Sequence, residues 1–227
     1  MTELIEFPDS ERFETERNAF FQRAKEAGLY TDPENAWNAA AYFYTQAVCF
    51  HESPETFKRP RVGLCFYGPC GAGKTVVAEF LREQIKALRW RVPKIQTAAL
   101  IDKYRRDELL ADEMQGTPKE DILLDDIGYE EDARRFGDRW GIADFLKFRY
   151  EYAFLRHGRF TIATTNLNGI EEIRERYGVQ IASRAAEMFY FILVARKDRR
   201  REIAERRAAE IERRIGKAGG KPRETCV

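Results

Sequence analysis

Gly68 to Thr75 reads GPCGAGKT and stands directly behind the apolar run VGLCFY, residues 62–67. A buried strand, a glycine-rich turn and a Lys-Thr pair in that order describe a phosphate-binding loop rather than a chance turn. Gly68, Gly71 and Gly73 let the backbone turn its N–H groups inward around a β-phosphate. Lys74 is then placed to reach the β- and γ-phosphates, and the Thr75 hydroxyl to ligate Mg²⁺. A helix from about Thr75 to Leu88 would aim its positive dipole end at the same phosphates. The expected ligand is a nucleoside triphosphate, with Gly68, Pro69, Cys70, Gly71, Ala72, Gly73, Lys74, Thr75 and Val76 as its contacts.

The residues that follow alternate strand and helix, as an α/β nucleotide-binding sheet does. Lys94–Ala98 reads as a short strand and Leu100–Met114 as a helix, and the chain then reaches EDILLDDIG, residues 120–128. Ile122, Leu123 and Leu124 form a buried strand that delivers Asp125 and Asp126 to its C-terminal end, the edge where ligands bind in open parallel sheets. Asp125 is placed to hold Mg²⁺ through its water shell, and Asp126 to orient or deprotonate an attacking water. Two adjacent acids repel each other, and a bound magnesium ion removes that penalty. A further strand, Phe160–Thr164, ends in Thr165 and Asn166. The Asn166 amide can lie between the two preceding strand tips and hydrogen-bond the water or the γ-phosphate. Asparagine after a strand is also a common turn residue, but its place behind both preceding motifs favours the site. A fifth strand is expected over Phe189–Ala195.

Composition bounds the rest. With 44% hydrophobic residues the chain carries enough apolar side chains to build a globular core and is not a disordered protein. No run approaches the length of about 18 apolar residues that crosses a bilayer. The opening MTELIEFPDSERFE is acidic and lacks the basic-then-apolar plan of a secretory leader, so a cytoplasmic location and no membrane partner are expected. The four cysteines form no CxxC pair and there are only two histidines, so neither a disulfide framework nor a zinc finger is supported. Cys65 and Cys70 are expected to be small packing residues beside the nucleotide.

Residues 1–58 read as a small helical segment. Asp9 or Ser10 can cap a helix to about Ala27, Asp32 and Pro33 can open a second one to about Phe50, and His51–Arg61 reads as a linker. Trp37, Tyr42, Phe43, Tyr44 and Phe50 would serve as core, or as stacking surfaces for bases or a partner. Residues 59–195 hold the nucleotide-binding core. Residues 196–227 form a basic, charged helix and tail with twelve Lys/Arg against six Asp/Glu, although the whole chain is only +1. That surplus suits a polyanion such as DNA; the interleaved acids of REIAERRAAEIERR suit a solvated helix face. Ala204, Ala208, Ile211 and Ile215 make a narrow apolar stripe.

The order GPCGAGKT, LLDDIG, ATTNL and RYGVQIASRAAEMF resembles the AAA+ ATPases of the DnaC and IstB type, helicase loaders and transposition helper ATPases of bacteria and phages. The resemblance covers about residues 60–200, and DDIGYEEDARRFGDRWGIADFLKFRY, TIATTNL and ERYGVQIASR are its most specific parts. It implies an α/β fold, a P-loop NTPase of AAA+ type with a parallel sheet sandwiched by helices, a helical segment before it and a charged helix after it. Little chain follows the fifth strand, so no full lid domain is expected and no sensor-2 arginine is assigned. The resemblance also implies ATP with Mg²⁺ as cofactors and Lys74, Asp126, Asn166 and Arg184 as the catalytic set. Asn166 corresponds to the sensor-1 position, and Arg184 to a finger that enters the active site of a neighbouring subunit. Asp126 stands where many AAA+ proteins outside the loader group have a longer glutamate, and slow hydrolysis is expected from it. The implied partners are further copies of the chain, a replicative helicase or a transposase, and DNA, single-stranded in the first instance. Loader, transposition helper and non-hydrolytic nucleotide-ordered scaffold all remain open at this level.

Overall fold

The computed structural model describes residues 10–29, 31, 34–105, 119–130, 133–135, 138–195, 204–205 and 207–213. Two helices come first, α1 (Ser10–Glu26) and α2 (Glu34–Glu52), and lead to β1 (Gly63–Tyr67), α3 (Lys74–Ala87), β2 (Lys94–Gln96) and α4 (Thr97–Arg105). After β3 (Ile122–Ile127) comes a hairpin, β4 (Ala133–Arg135) and β5 (Asp138–Trp140), then α5 (Ile142–Phe148), which passes into a π-helical segment, Arg149–Arg156. The described core closes with β6 (Thr161–Thr165), α6 (Ile170–Tyr177), α7 (Val179–Met188) and β7 (Phe189–Leu193).

Five of these strands form one parallel sheet in the order β2-β3-β6-β1-β7. Parallel strands covered on both faces are apolar almost throughout, and alternate residues divide between two cores. Leu64, Phe66, Leu123 and Ile162 join one core, with α1, α2 and α3 over them. Cys65, Ile122, Leu124 and Ala163 face the other, under α4 to α7. β1 starts at Gly63 because a side chain there would place its Cβ 1.7 Å from the carbonyl oxygen of Thr161 on β6. At the N-terminal edge of the sheet the buried Arg149 guanidinium donates to Thr161 Oγ1 (3.0 Å) and to the Phe160 and Glu120 carbonyls (3.1 Å each), tying β3 to β6. Burial pulls the Arg149 pKa down to about 10.

The helices of residues 1–58 are part of this core. Phe20 stacks edge-on against Phe80 at 5.0 Å, Trp37 lies 5.5 Å from the same ring, and Phe43 meets Phe160 at 5.0 Å. Trp37, Phe43 and Tyr44 are buried, which is the packing role weighed for them against base stacking.

Several boundaries differ from the sequence reading. α2 runs through His51 and Glu52, so the linker starts later. β2 stops at Gln96 instead of Ala98, since Thr97 turns its hydroxyl to the Asp126 carbonyl (2.7 Å) and opens α4. The remainder of the helix expected to Met114 lies outside the described residues. β3 extends past Leu124 to include both acids. β7 ends at Leu193, after which the Val194 N–H bonds the Tyr67 carbonyl at 2.8 Å. The β4–β5 hairpin was not anticipated. Residues 204–205 and 207–213 are helical and exposed, including Ile211 of the apolar stripe; Ile215 and Cys226 lie outside the described residues.

Because Phe20 belongs to the same core as α3 and the sheet, Phe20→Ala should lower stability by about 3–5 kcal/mol. Denaturant unfolding followed by tryptophan fluorescence and by far-UV circular dichroism should give coincident single transitions for both proteins. A separate early transition for α1 and α2 would contradict the shared core.

Candidate functional site

The sheet order sets the site before any side chain does. β6 lies between β1 and β3, so the residue after β6 falls between the loop that follows β1 and the acids that end β3. In that loop Gly68, Gly71 and Gly73 all have positive φ, at 136°, 76° and 99°. These are the conformations that turn successive N–H groups toward one side and that other residues rarely adopt. At Gly68 a Cβ would also lie 2.7 Å from the Val194 carbonyl oxygen. α3 begins immediately after, with Gly73 as N-cap and no side chain capping its first turn, which leaves that turn's amides available to an anion.

Lys74 is 5% exposed. Its Nζ donates to the carbonyls of Gly68 (2.7 Å) and Pro69 (2.8 Å) and to Asn166 Oδ1 (2.8 Å). The ammonium is thus folded back on its own loop and fixed by the tip of β6, the amide position anticipated for Asn166.

Asp125 is 2% exposed, and its carboxylate is satisfied from three elements besides its own. Oδ1 accepts from Thr75 Oγ1 on α3 (3.1 Å) and from Thr164 Oγ1 on β6 (2.6 Å), while Oδ2 pairs with Lys94 Nζ on β2 (2.8 Å). Lys94 also bonds Glu79, one helical turn beyond Thr75 on α3. Burial works against the Lys94 ammonium, but the hydrogen bonds it donates to Asp125 and Glu79, with their charges, outweigh it and hold its pKa above the ordinary lysine value. Thr75 and Asp125 present the hard oxygen donors that Mg²⁺ takes. Among the described residues no group of three or more His, Cys, Asp or Glu side chains could hold a metal by itself. An ion at Thr75 and Asp125 would therefore complete its shell with water and phosphate oxygens, as magnesium does in phosphate sites.

Asp126 has φ 63°, a left-handed backbone that aspartate tolerates better than most residues. Its N–H donates to Thr164 Oγ1 (2.9 Å) and its carbonyl accepts from Thr97, which holds the irregularity between Leu124 and Ile127 in β3. The two neighbouring acids therefore diverge: Asp125 is locked into the interior, and Asp126 is only partly buried. Just beyond, the buried Glu130 carboxylate accepts from the Gly128 N–H (2.8 Å) and the Tyr177 hydroxyl and pairs with Arg176 (3.7 Å). Burial and the Glu130 charge push the Tyr177 hydroxyl well above its usual pKa. This bond set fastens the segment after β3 to the end of α6, next to the helix that carries Arg184.

The chain thus brings Lys74, Thr75, Asp125, Asp126 and Asn166 to one sheet edge. It does not bring Arg184 there. Arg184 is partly buried on α7, donates to Glu151 Oε1 (3.3 Å) and lies 5.6 Å from the Tyr150 ring centroid. Lys94, Thr164 and Glu79 were missed by sequence reasoning. For the first, a lysine heading the short strand KIQ, the sequence carries no local signal. Cys65 is buried as expected, but Cys70 is exposed, which corrects its reading as a packing residue. With Cys226→Ser as background, Cys70 should react rapidly with Ellman's reagent, while Cys49 and Cys65, whose thiols burial pushes up, should react only on unfolding. Rapid labelling of Cys65 in the folded protein would contradict its place inside the sheet.

No protein-family model matches the chain, and no curated protein matches its sequence. Solved structures do resemble it. The DnaC helicase loader superposes with TM-score 0.51 at 20% identity, over 82% of this chain and 99% of that one. DnaI gives 0.55 at 16% identity, over 85% and 94%. A candidate primosome component from Streptococcus pyogenes serotype M3 gives 0.52 at 14% identity, over 72% and 81%. At these identities the likeness is one of fold, and with the five-stranded parallel sheet between helical layers it establishes that this chain has the AAA+ P-loop NTPase fold seen in the DnaC and DnaI structures.

Proposed function

We propose that the chain is an ATP-dependent AAA+ switch that acts in DNA replication as a helicase loader. The observation that carries this reading is the convergence of Lys74, Thr75, Asp125 and Asn166 beside a loop with three positive-φ glycines. ATP rather than another triphosphate comes from the sequence resemblance, and the loader role from that resemblance together with the similarity in fold to the DnaC helicase loader.

In this reading Lys74 exchanges the Gly68 and Pro69 carbonyls for β- and γ-phosphate oxygens, and the loop amides at the start of α3 surround the β-phosphate. Thr75 and Asp125 would hold Mg²⁺, which when bound would supply neutralising charge to the phosphates. Asp126 orients or deprotonates the attacking water, and Asn166 hydrogen-bonds that water or the γ-phosphate. Arg184, turned away from its own chain's site, enters the site of a neighbouring copy and stabilises charge on the γ-phosphate there. Hydrolysis then loosens the contact between copies and releases the partner helicase. The basic residues from Arg196 onward supply contacts to single-stranded DNA, and the whole assembly works in the cytoplasm.

Asp126→Asn is the most discriminating substitution, since asparagine also accepts the left-handed backbone. Turnover should fall by about 10²–10⁴-fold while binding of a fluorescent ATP analogue stays near wild type. If the wild type shows no turnover with or without single-stranded DNA, the chain is a nucleotide-ordered scaffold instead. For the shared site, Arg184→Ala and Lys74→Ala proteins should each be inactive and should regain part of the activity when mixed. Well-formed mixed oligomers with no recovery would place Arg184 outside the chemistry.

A further inference from the structure

We infer that Lys94 is a positioning residue that occupies the cation's role at Asp125 until Mg²⁺ arrives, and so sets how strongly nucleotide binding depends on the metal. The inference rests on the nucleotide reading above and deepens it.

The geometry begins in the register of the sheet. Lys94 pairs with Leu123 and Gln96 with Asp125, so Lys94, Gln96, Leu123 and Asp125 point to one face. α3 covers that face at the edge, and its Thr75 and Glu79 are four residues apart on one side of the helix. The result is a closed square: Thr75 to Asp125 across helix and strand (3.1 Å), Asp125 to Lys94 across two strands (2.8 Å), and Lys94 back to Glu79 on the helix. Asp125 belongs at the metal corner. A carboxylate this deeply buried needs a positive partner, and Lys94 supplies it on the oxygen that Thr75 and Thr164 leave uncovered, Oδ2.

A divalent ion beside Thr75 Oγ1 and Asp125 Oδ1 meets the Lys94 ammonium as a like charge across one carboxylate. Lys94 must then lean toward Glu79, its second acceptor and the more exposed of the two. The pair of acceptors makes the lysine a two-position device. With Asp125 it neutralises the site and tolerates phosphates without metal; with Glu79 it clears the site for the metal. Removing the lysine leaves Asp125 to repel metal-free nucleotide and to attract Mg²⁺ more strongly. Removing the Glu79 charge has the opposite effect, because Lys94 is then committed to Asp125.

The test is the ratio of dissociation constants for a fluorescent ATP analogue in EDTA and in saturating MgCl2, measured by fluorescence titration on the full chain. Lys94→Met should raise that ratio by about tenfold or more, a size expected when one nearby charge is removed from a largely dehydrated site. It should also lower the MgCl2 concentration that gives half-maximal binding. Glu79→Gln should move both quantities the other way. A ratio in both variants within twofold of wild type overturns the inference while leaving the nucleotide reading in place. If the wild-type chain binds no nucleotide in either condition, that reading fails and this inference fails with it. Should Lys94→Met not fold, Glu79→Gln alone decides: an unmoved or decreased MgCl2 midpoint overturns the inference.

Discussion

A carboxylate buried at the end of a central strand is costly unless every lone pair is met, and Asp125 is that carboxylate. Its partners come from α3, β2 and β6, so satisfying it ties these three elements to the end of β3. Thr75 must open α3 directly behind the glycine loop. Thr164 must stand on the strand between β1 and β3, and there its hydroxyl also receives the Asp126 N–H. Lys94 must head the edge strand in the register that puts it diagonal to Asp125. The glycine loop, the sheet order and the two divergent acids are therefore parts of one electrostatic arrangement.

Apolar and polar requirements are kept apart along the strands. The middles of β1, β3 and β6 alternate between two apolar cores, and hydrogen-bonding groups gather at the two sheet edges. At one edge Arg149 ties strand beginnings together; at the other, the buried Asp125 and Lys74 and the partly buried Asn166 join strand ends to the glycine loop and α3. That asymmetry fits binding at one edge with rigidity at the other. The bonds of Glu130 to Tyr177 and Arg176 add a mechanical link from the segment after β3 to the helices before β7.

Most of the site was legible because its chemistry is encoded in contiguous motifs. A glycine-rich turn with Lys-Thr needs only local spacing to be recognised, and LLDD after it fixes the strand that faces it. The order of motifs was enough to expect Asn166 between them, and its Oδ1 accepts a hydrogen bond from Lys74 Nζ at 2.8 Å. Lys94 and Glu79 were not legible, because their meaning depends on strand register and on which helix face covers the sheet edge. A lone lysine in β2 looks like any solvated edge residue. The hairpin escaped for a similar reason: strands of three residues, ARR and DRW, carry no alternation long enough to read. The end of β2 was misjudged because Thr97, a good strand residue, is held by the Asp126 carbonyl at the start of a helix, a contact distant in sequence.

In the proposed function a second copy of the chain completes the nucleotide site, because Arg184 rests on Glu151 and Tyr150 and not among the residues around Lys74. ATP turnover per chain, measured across protein concentrations that span dissociated and assembled states, tests this most directly. Specific activity should rise steeply with concentration and level off when assembly is complete, in step with the mass measured by light scattering. A specific activity that stays constant from dissociated chain to assembly would contradict it.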